Sequence, residues 1–252
     1  MSTLPSIFVS HGSPMMAVTE SPARAFLAAL GKTLPRPKAI VVASAHWEEH
    51  GAVVGGASQP ATIHDFYGFP EPLYRIRYPA PGDTALSRRV ADMLETTIDA
   101  KRGFDHGVWS PLILMYPEAD IPVIPVALDD AGDATRHLEI GRKLAPLREE
   151  GVLVMGSGSF THNLGALRST PPGQPTPAWT TEFIDWTVKA LEAGDTESLE
   201  DWEEKAPHAL QNHPTPEHFM PLFVAAGAGG KAELLHESVH HGILAMHAFA
   251  FQ

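Results

Sequence analysis

Three apolar runs each lead into a histidine, and nothing else in the chain constrains its fold as strongly. Ser6-Ile7-Phe8-Val9-Ser10 meets His11, and Ala39-Ile40-Val41-Val42-Ala43-Ser44-Ala45 meets His46. Val152-Leu153-Val154-Met155-Gly156 passes through Ser157-Gly158-Ser159-Phe160-Thr161 to His162. Short, β-branched-rich runs bounded by Gly and Ser read as strands covered on both faces, as in a parallel sheet. Ligands of open α/β sheets sit beyond the carboxyl ends of the strands. The pattern therefore predicts three imidazoles at one sheet edge. Neutral imidazole is the commonest metal ligand, so a metal site is the leading expectation.

Helix signals fall between these runs. Ser21-Pro22 has the form of an N-cap followed by Pro at the first helical position, and Ser110-Pro111, Thr176-Pro177 and Thr215-Pro216 repeat it. Leu86, Val90, Met93 and Leu94 give the apolar stripe of an amphipathic helix of about 15 residues. Trp179, Phe183, Trp186 and Ala190 give a second stripe, and Leu138, Leu144 and Leu147 a third. Residues 121–128 read as a strand, which Pro122 and Pro125 push toward an irregular or edge position. Gly242 to Phe251 predicts a final strand, antiparallel to its neighbour. The alternation predicts an α/β fold, with helices on both faces of a mostly parallel sheet and no domain linker across residues 1–252.

Gly51 to Pro81 lacks periodicity but carries Phe66, Tyr67, Phe69, Tyr74 and Tyr78. Its aromatics argue for an ordered, functional loop. Pro171 to Pro177 reads as a Pro-rich surface connection.

Composition narrows the partners. Eighteen Lys and Arg stand against 30 Asp and Glu, a formal charge of −12. Such a surface repels phosphate backbones, which argues against nucleic acid. There is no cysteine, so disulfides and thiolate ligands are excluded and any transition metal must use His, Asp or Glu. No apolar run approaches the ~18 residues needed to span a bilayer, and the first residues lack a signal-peptide pattern. The expectation is a cytoplasmic protein with no membrane partner, its oligomeric state open to a homo-oligomer.

Among 14 histidines, position separates a few. His11 sits in Ser10-His11-Gly12-Ser13-Pro14, where a strand turns sharply. His46 repeats that placement, with small neighbours Ala43, Ser44 and Ala45. Glycines before His162 let the backbone approach a partner closely, but neither P-loop spacing nor a Gly-x-Ser-x-Gly elbow is present. With Thr215 as N-cap, His218 would be the third helical residue, kept neutral by the helix N-terminus; spacing alone equally fits a surface histidine. Asp105 could orient the adjacent His106. His64 lies in the aromatic loop. His236, His240 and His241 read as a solvated face, and His50, His137, His208, His213 and His247 as structural or exposed.

Taken together, Ser10-His11-Gly12-Ser13-Pro14, Ser44-Ala45-His46-Trp47, Asp65-Phe66-Tyr67-Gly68-Phe69-Pro70, Asp105-His106-Gly107-Val108-Trp109, Gly156-Ser157-Gly158-Ser159 with Thr161-His162-Asn163, and Glu217-His218-Phe219-Met220-Pro221-Leu222 resemble the extradiol ring-cleaving dioxygenases of the DOPA dioxygenase type, a class III family. The resemblance covers nearly the whole chain. It implies a three-layer α/β/α domain with one mononuclear non-haem metal. It implies that His11, His46 and His218 are ligands, and that His162 is an acid/base beside the metal or a fourth ligand in zinc-loaded members. His106 would line the substrate pocket, and Asp65, Phe66, Tyr67 and Phe69 would shape it. The substrates implied are a catechol and O2, the product a semialdehyde. Fe2+ is the ion implied for activity. Zn2+ suits the same imidazoles and binds more tightly in the divalent order. Many non-haem iron oxygenases use two His and one carboxylate; Glu217 or Glu48 could replace one imidazole here, but the third ligand the resemblance implies is His218, as in the DOPA-type branch.

Two other functions compete: a zinc-dependent hydrolase needing no O2, and a non-enzymatic metal-binding interaction protein on the same fold. Arg75 and Arg77 stand near the aromatic loop either as partners of a substrate carboxylate or as surface charges.

Overall fold

The computed structural model describes residues 3–169 and 174–252. Among the described residues lie ten strands: β1 (Ser6–Ser10), β2 (Ala39–Glu49), β3 (Val54–Gly55), β4 (Ile98–Asp99), β5 (Val123–Asp129), β6 (Val152–Gly158), β7 (Ala232–His236), β8 (Val239–His240), β9 (Leu244–Ala245) and β10 (Ala248–Phe251). Eight of them form one sheet in the order β4-β3-β5-β2-β6-β1-β10-β7, and β8 pairs with β9. The central pairs β5–β2, β2–β6 and β6–β1 are parallel. The closing strand β10 runs antiparallel to β1, as the sequence predicts.

The central strands are covered on both faces, which is why their inner stretches, such as Ile40 to Ala43 and Val152 to Met155, are apolar without alternation. Along β2, Ile40 and Val42 face one core with Val9, Leu153 and Met155. Val41 and Ala43 face the other with Phe8 and Val154. Helices α1 (Pro22–Thr33) and α3 (His106–Met115) close the first core through Leu27, Trp109 and Leu112. Helices α2 (Thr84–Leu94) and α4 (Ala134–Leu144), with the helices Ala178–Ala193 and Met220–Ala228, close the second. This is the three-layer α/β/α sandwich.

The helix signals succeed unevenly. Ser21 caps α1, accepting from the Arg24 amide at 3.1 Å, with Pro22 at the first position. Thr176-Pro177 misses by one residue, because the helix begins at Ala178 with Pro177 at its N-cap position and no side-chain cap; the rest of the Pro171–Pro177 connection lies partly outside the described residues. The α2 stripe spans 11 residues, and Glu95 ends it in the left-handed region. Ser110-Pro111 does not open a helix. Asp105 caps α3 through the Val108 amide, and Pro111 sits inside it. Nor is Thr215 an N-cap: the Phe219 amide bonds to the Pro216 carbonyl in a separate turn, and the helix begins at Met220. His218 thus precedes the helix instead of being its third residue.

Strand β5 lies inside the sheet, not at its edge, and its prolines are accommodated locally. Pro122 precedes the strand, where its carbonyl accepts from Ile40. The Val123 and Ala127 amides both point away from β2, to the Pro81 and Val53 carbonyls. Pro125 falls between them on the same side, against Gly55, where a Cβ would lie 2.5 Å from its ring. A missing N–H costs no β2 ladder bond there.

Three histidines without a sequence signal, His137, His213 and His247, are core residues. His213 donates from Nε2 to the Phe160 carbonyl, and His247 stacks on the Phe160 ring at 4.8 Å. Burial lowers His213 to about 3 and His247 to about 4, from an ordinary 6.5. Both are neutral when folded and take up a proton on unfolding below pH 6.5. Each should therefore remove stability, on the order of 1 kcal/mol per pH unit, as pH falls below about 6 toward the folded values. Urea midpoints at pH 7, 6 and 5 should decline progressively; constant midpoints would contradict this.

Candidate metal centre and active site

Three adjacent parallel strands bring the site together. His11 follows β1, and Gly12, at φ +57°, turns the chain away; a Cβ there would strike Met246 at 2.8 Å. His46 lies near the end of β2. Strand β6 runs between them and places Ser157 opposite both Val9 and Ser44. The turn before Met220 delivers His218, and the segment after β6 delivers His162, whose amide donates to the Asn212 carbonyl at 2.9 Å.

The rings of His11, His46 and His218 meet. Nε2 of His46 lies 3.0 Å from Nε2 of His11 and 3.3 Å from Nε2 of His218. Each outer nitrogen has an oxygen partner. Nδ1 of His11 lies 3.1 Å from Ser157 Oγ, Nδ1 of His46 3.3 Å from Asp65 Oδ2, and Nδ1 of His218 2.8 Å from Glu217 Oε1. The Ser157 hydroxyl donates to the Gly107 carbonyl, so toward His11 it accepts. That carbonyl is available because Pro111, four residues on, has no amide to give it.

The contacts to Ser157 and Glu217 assign the proton to Nδ1 on His11 and His218, and the Asp65 carboxylate beside Nδ1 of His46 favours the same tautomer there. Three bare Nε2 lone pairs then converge, a repulsive arrangement unless a cation lies among them. Outward donation to carboxylate or hydroxyl oxygen is also the usual support of metal-bound histidine. The residues therefore fit a divalent ion held by three imidazoles. Burial, followed by the neighbouring imidazoles, pushes His11 and His218 well below the ordinary histidine range. Burial and then His106 lower His46 to about 3. Neutral rings are what a metal requires.

His162 lies flat on His218, with ring centroids 3.5 Å apart and planes at 14°. Its nitrogen groups with Glu217 and His218, while His11, His46 and His218 form the other set. Burial lowers it to about 4.

His106 opens α3, and the oxygen that orients it belongs to Asp65, not Asp105. Asp65 Oδ2 lies 2.9 Å from His106 Nδ1, and Oδ1 accepts from the His106 amide at 2.9 Å. Burial would raise Asp65, but the hydrogen bonds from His106 outweigh it and hold it at about 2. Asp65, expected at the substrate, is committed to two imidazoles.

Phe66 stands edge-on to His106 at 5.7 Å, packed on Phe69 and Tyr74. Tyr67 is 89% exposed and is not brought to the histidines. Arg75 pairs with Glu71, and Arg77 donates to the Tyr74 and Ile76 carbonyls. Sequence reasoning passed over Ser157 and weighed Glu217 only as a replacement ligand, although both lie in the quoted motifs.

Comparison with known proteins agrees with this geometry. The family model for the catalytic LigB subunit of aromatic ring-opening dioxygenase matches residues 4–251. The chain is 44% identical to 4,5-DOPA dioxygenase extradiol of Beta vulgaris, over 98% of this chain and 96% of the relative. It is 43% identical to the protein of the same description from Escherichia coli K12, over 89% of this chain and 85% of that one. A crystal structure of an uncharacterized Escherichia coli K12 protein superposes with a TM-score of 0.83 at 34% identity, covering 99% of this chain and 100% of the other. The chain belongs to the LigB family of aromatic ring-opening dioxygenases, in its DOPA-type branch. Its class is that of an extradiol ring-opening dioxygenase.

Proposed function

We propose that this chain opens a catechol-type ring with O2 to give a semialdehyde, using one divalent ion held by His11, His46 and His218. The observation that carries this reading is the convergence of three Nε2 atoms whose outer nitrogens all face oxygen. Ferrous ion, when bound, supplies redox chemistry toward dioxygen and makes a coordinated hydroxyl more acidic. Zinc at the same ligands has no redox role.

The chain's own residues handle the proton and the ring. His162, neutral and beside His218, accepts a hydroxyl proton on a ring nitrogen. His106 donates Nδ1–H to Asp65, which leaves Nε2 to hold or return a proton. Phe66 supplies an aromatic wall next to His106. Relatives described as 4,5-DOPA dioxygenases make DOPA the first catechol to try. The absence of cysteine suits a reducing cytoplasm.

Anaerobic loading with Fe(II), followed by air and a panel of catechols, tests the reading. The expected result is oxygen uptake equal to catechol consumed, with a yellow product, and no uptake with Zn(II). Turnover with Zn(II) and no oxygen demand would favour a hydrolase. Metal binding without any turnover would favour an interaction protein.

A further inference from the structure

We infer that Arg102 is a positioning residue for the metal ligand His46, acting through the buried carboxylate of Asp105. The inference rests on the reading of His46 as a ligand. Strand β2 is irregular where that ligand sits. Its pairing with β5 stops at Ala43 and resumes at Glu48, and its pairing with β6 ends at Ser44. Residues 45–47 thus fall outside both ladders, and their main-chain groups need other partners. Such interruptions re-aim side chains beside active sites.

Both main-chain groups of His46 lead to one carboxylate. Its amide donates to Ser44 Oγ at 3.2 Å, and the Ser44 hydroxyl donates to Asp105 Oδ1 at 2.6 Å. Its carbonyl accepts from Arg102 Nη2 at 3.1 Å, and the same nitrogen donates to Asp105 Oδ2 at 2.6 Å. The Asp105 side chain is 1% exposed and that of Arg102 19%. The guanidinium lies 4.7 Å above the Trp47 ring, which fixes its plane. Asp105 also caps α3 through the Val108 amide, so one ion pair ties the His46 main chain to the helix that begins with His106. Neither Arg102 nor Asp105 is needed as a ligand or proton carrier. Their geometry serves to aim one imidazole.

The test is Zn(II) affinity, measured by competition with a chromophoric chelator on the metal-free wild type and on the Arg102→Ala, Arg102→Lys and His46→Ala variants. Far-UV circular dichroism establishes that each is folded, and visible spectra of the Co(II) forms report ligand geometry. Arg102→Ala should bind Zn(II) ~10–100-fold more weakly, the usual cost of losing an outer partner, with altered Co(II) bands. Arg102→Lys keeps the charge but lacks the planar fork, and should fall in between. Wild-type affinity and spectra in the folded Arg102 variants would overturn the inference, even if their melting temperatures fell. Should Arg102→Ala not fold, Arg102→Lys decides by the same criterion. If His46→Ala keeps wild-type affinity, the ligand reading itself fails; if it loses affinity while the Arg102 variants keep theirs, only the positioning role fails.

Discussion

Replacing His46 with alanine is expected to strip the chain of its metal and of ring-opening activity while leaving the fold in place. Nε2 of His46 is the atom that lies within 3.3 Å of both other converging nitrogens. Removing it leaves two imidazoles, on β1 and on the turn before Met220. It also takes from Asp65 one of its two ring partners. Loss of a direct ligand should cost more than the ~10–100-fold typical of an outer partner. The sheet gives no reason for collapse, because the buried apolar residues of β2 are Ala39 to Ala43, Ala45 and Trp47, and His46 is not among them. Elemental analysis after Fe(II) loading and desalting, with circular dichroism of the same sample, checks the result. A folded variant with full metal content would contradict it.

The second large effect concerns His162, and here metal and turnover should separate. Its ring stacks on His218 and falls in the other nitrogen set, with Glu217. A base placed in this way typically contributes about 10² to 10⁴ in rate. His162→Ala should therefore lower kcat by that order while metal content stays at the wild-type level. Single-turnover rates on a catechol, paired with metal analysis, provide the comparison. Unchanged turnover would remove the proton-transfer role, and lost metal would make His162 a ligand.

Strand ends were readable because parallel strands buried on both faces need unbroken apolar runs, and each run stops where the site begins. His11 and His46 could be placed for that reason. His218 could not be placed from spacing. Thr215-Pro216 has the chemistry of a helix start, yet the local turn to Pro216 takes the amides first. Ser110-Pro111 misled in a related way. Asp105 offers a better cap five positions earlier, and the carbonyl that Pro111 leaves free is satisfied by Ser157. That compensation comes from a different strand and leaves no trace in local sequence.

The oxygens behind the imidazoles were hidden for the same reason. Asp65 reaches His106 and His46 across the fold, and Ser157 reaches His11 because β6 lies between β1 and β2. The family resemblance placed Asp65 at the substrate pocket; its oxygens lie against His106 and His46. Pro125 shows the converse case, where a local rule argued for an edge and a short neighbouring strand removed the need for its amide.

The most direct measurement is an anomalous difference map from crystals of the chain soaked in Zn(II). The expected peak lies about 2.0–2.1 Å from Nε2 of each of His11, His46 and His218. The contradicting result would be no peak among these rings, with zinc bound only elsewhere, such as the exposed group of His50, Asp129 and Asp130.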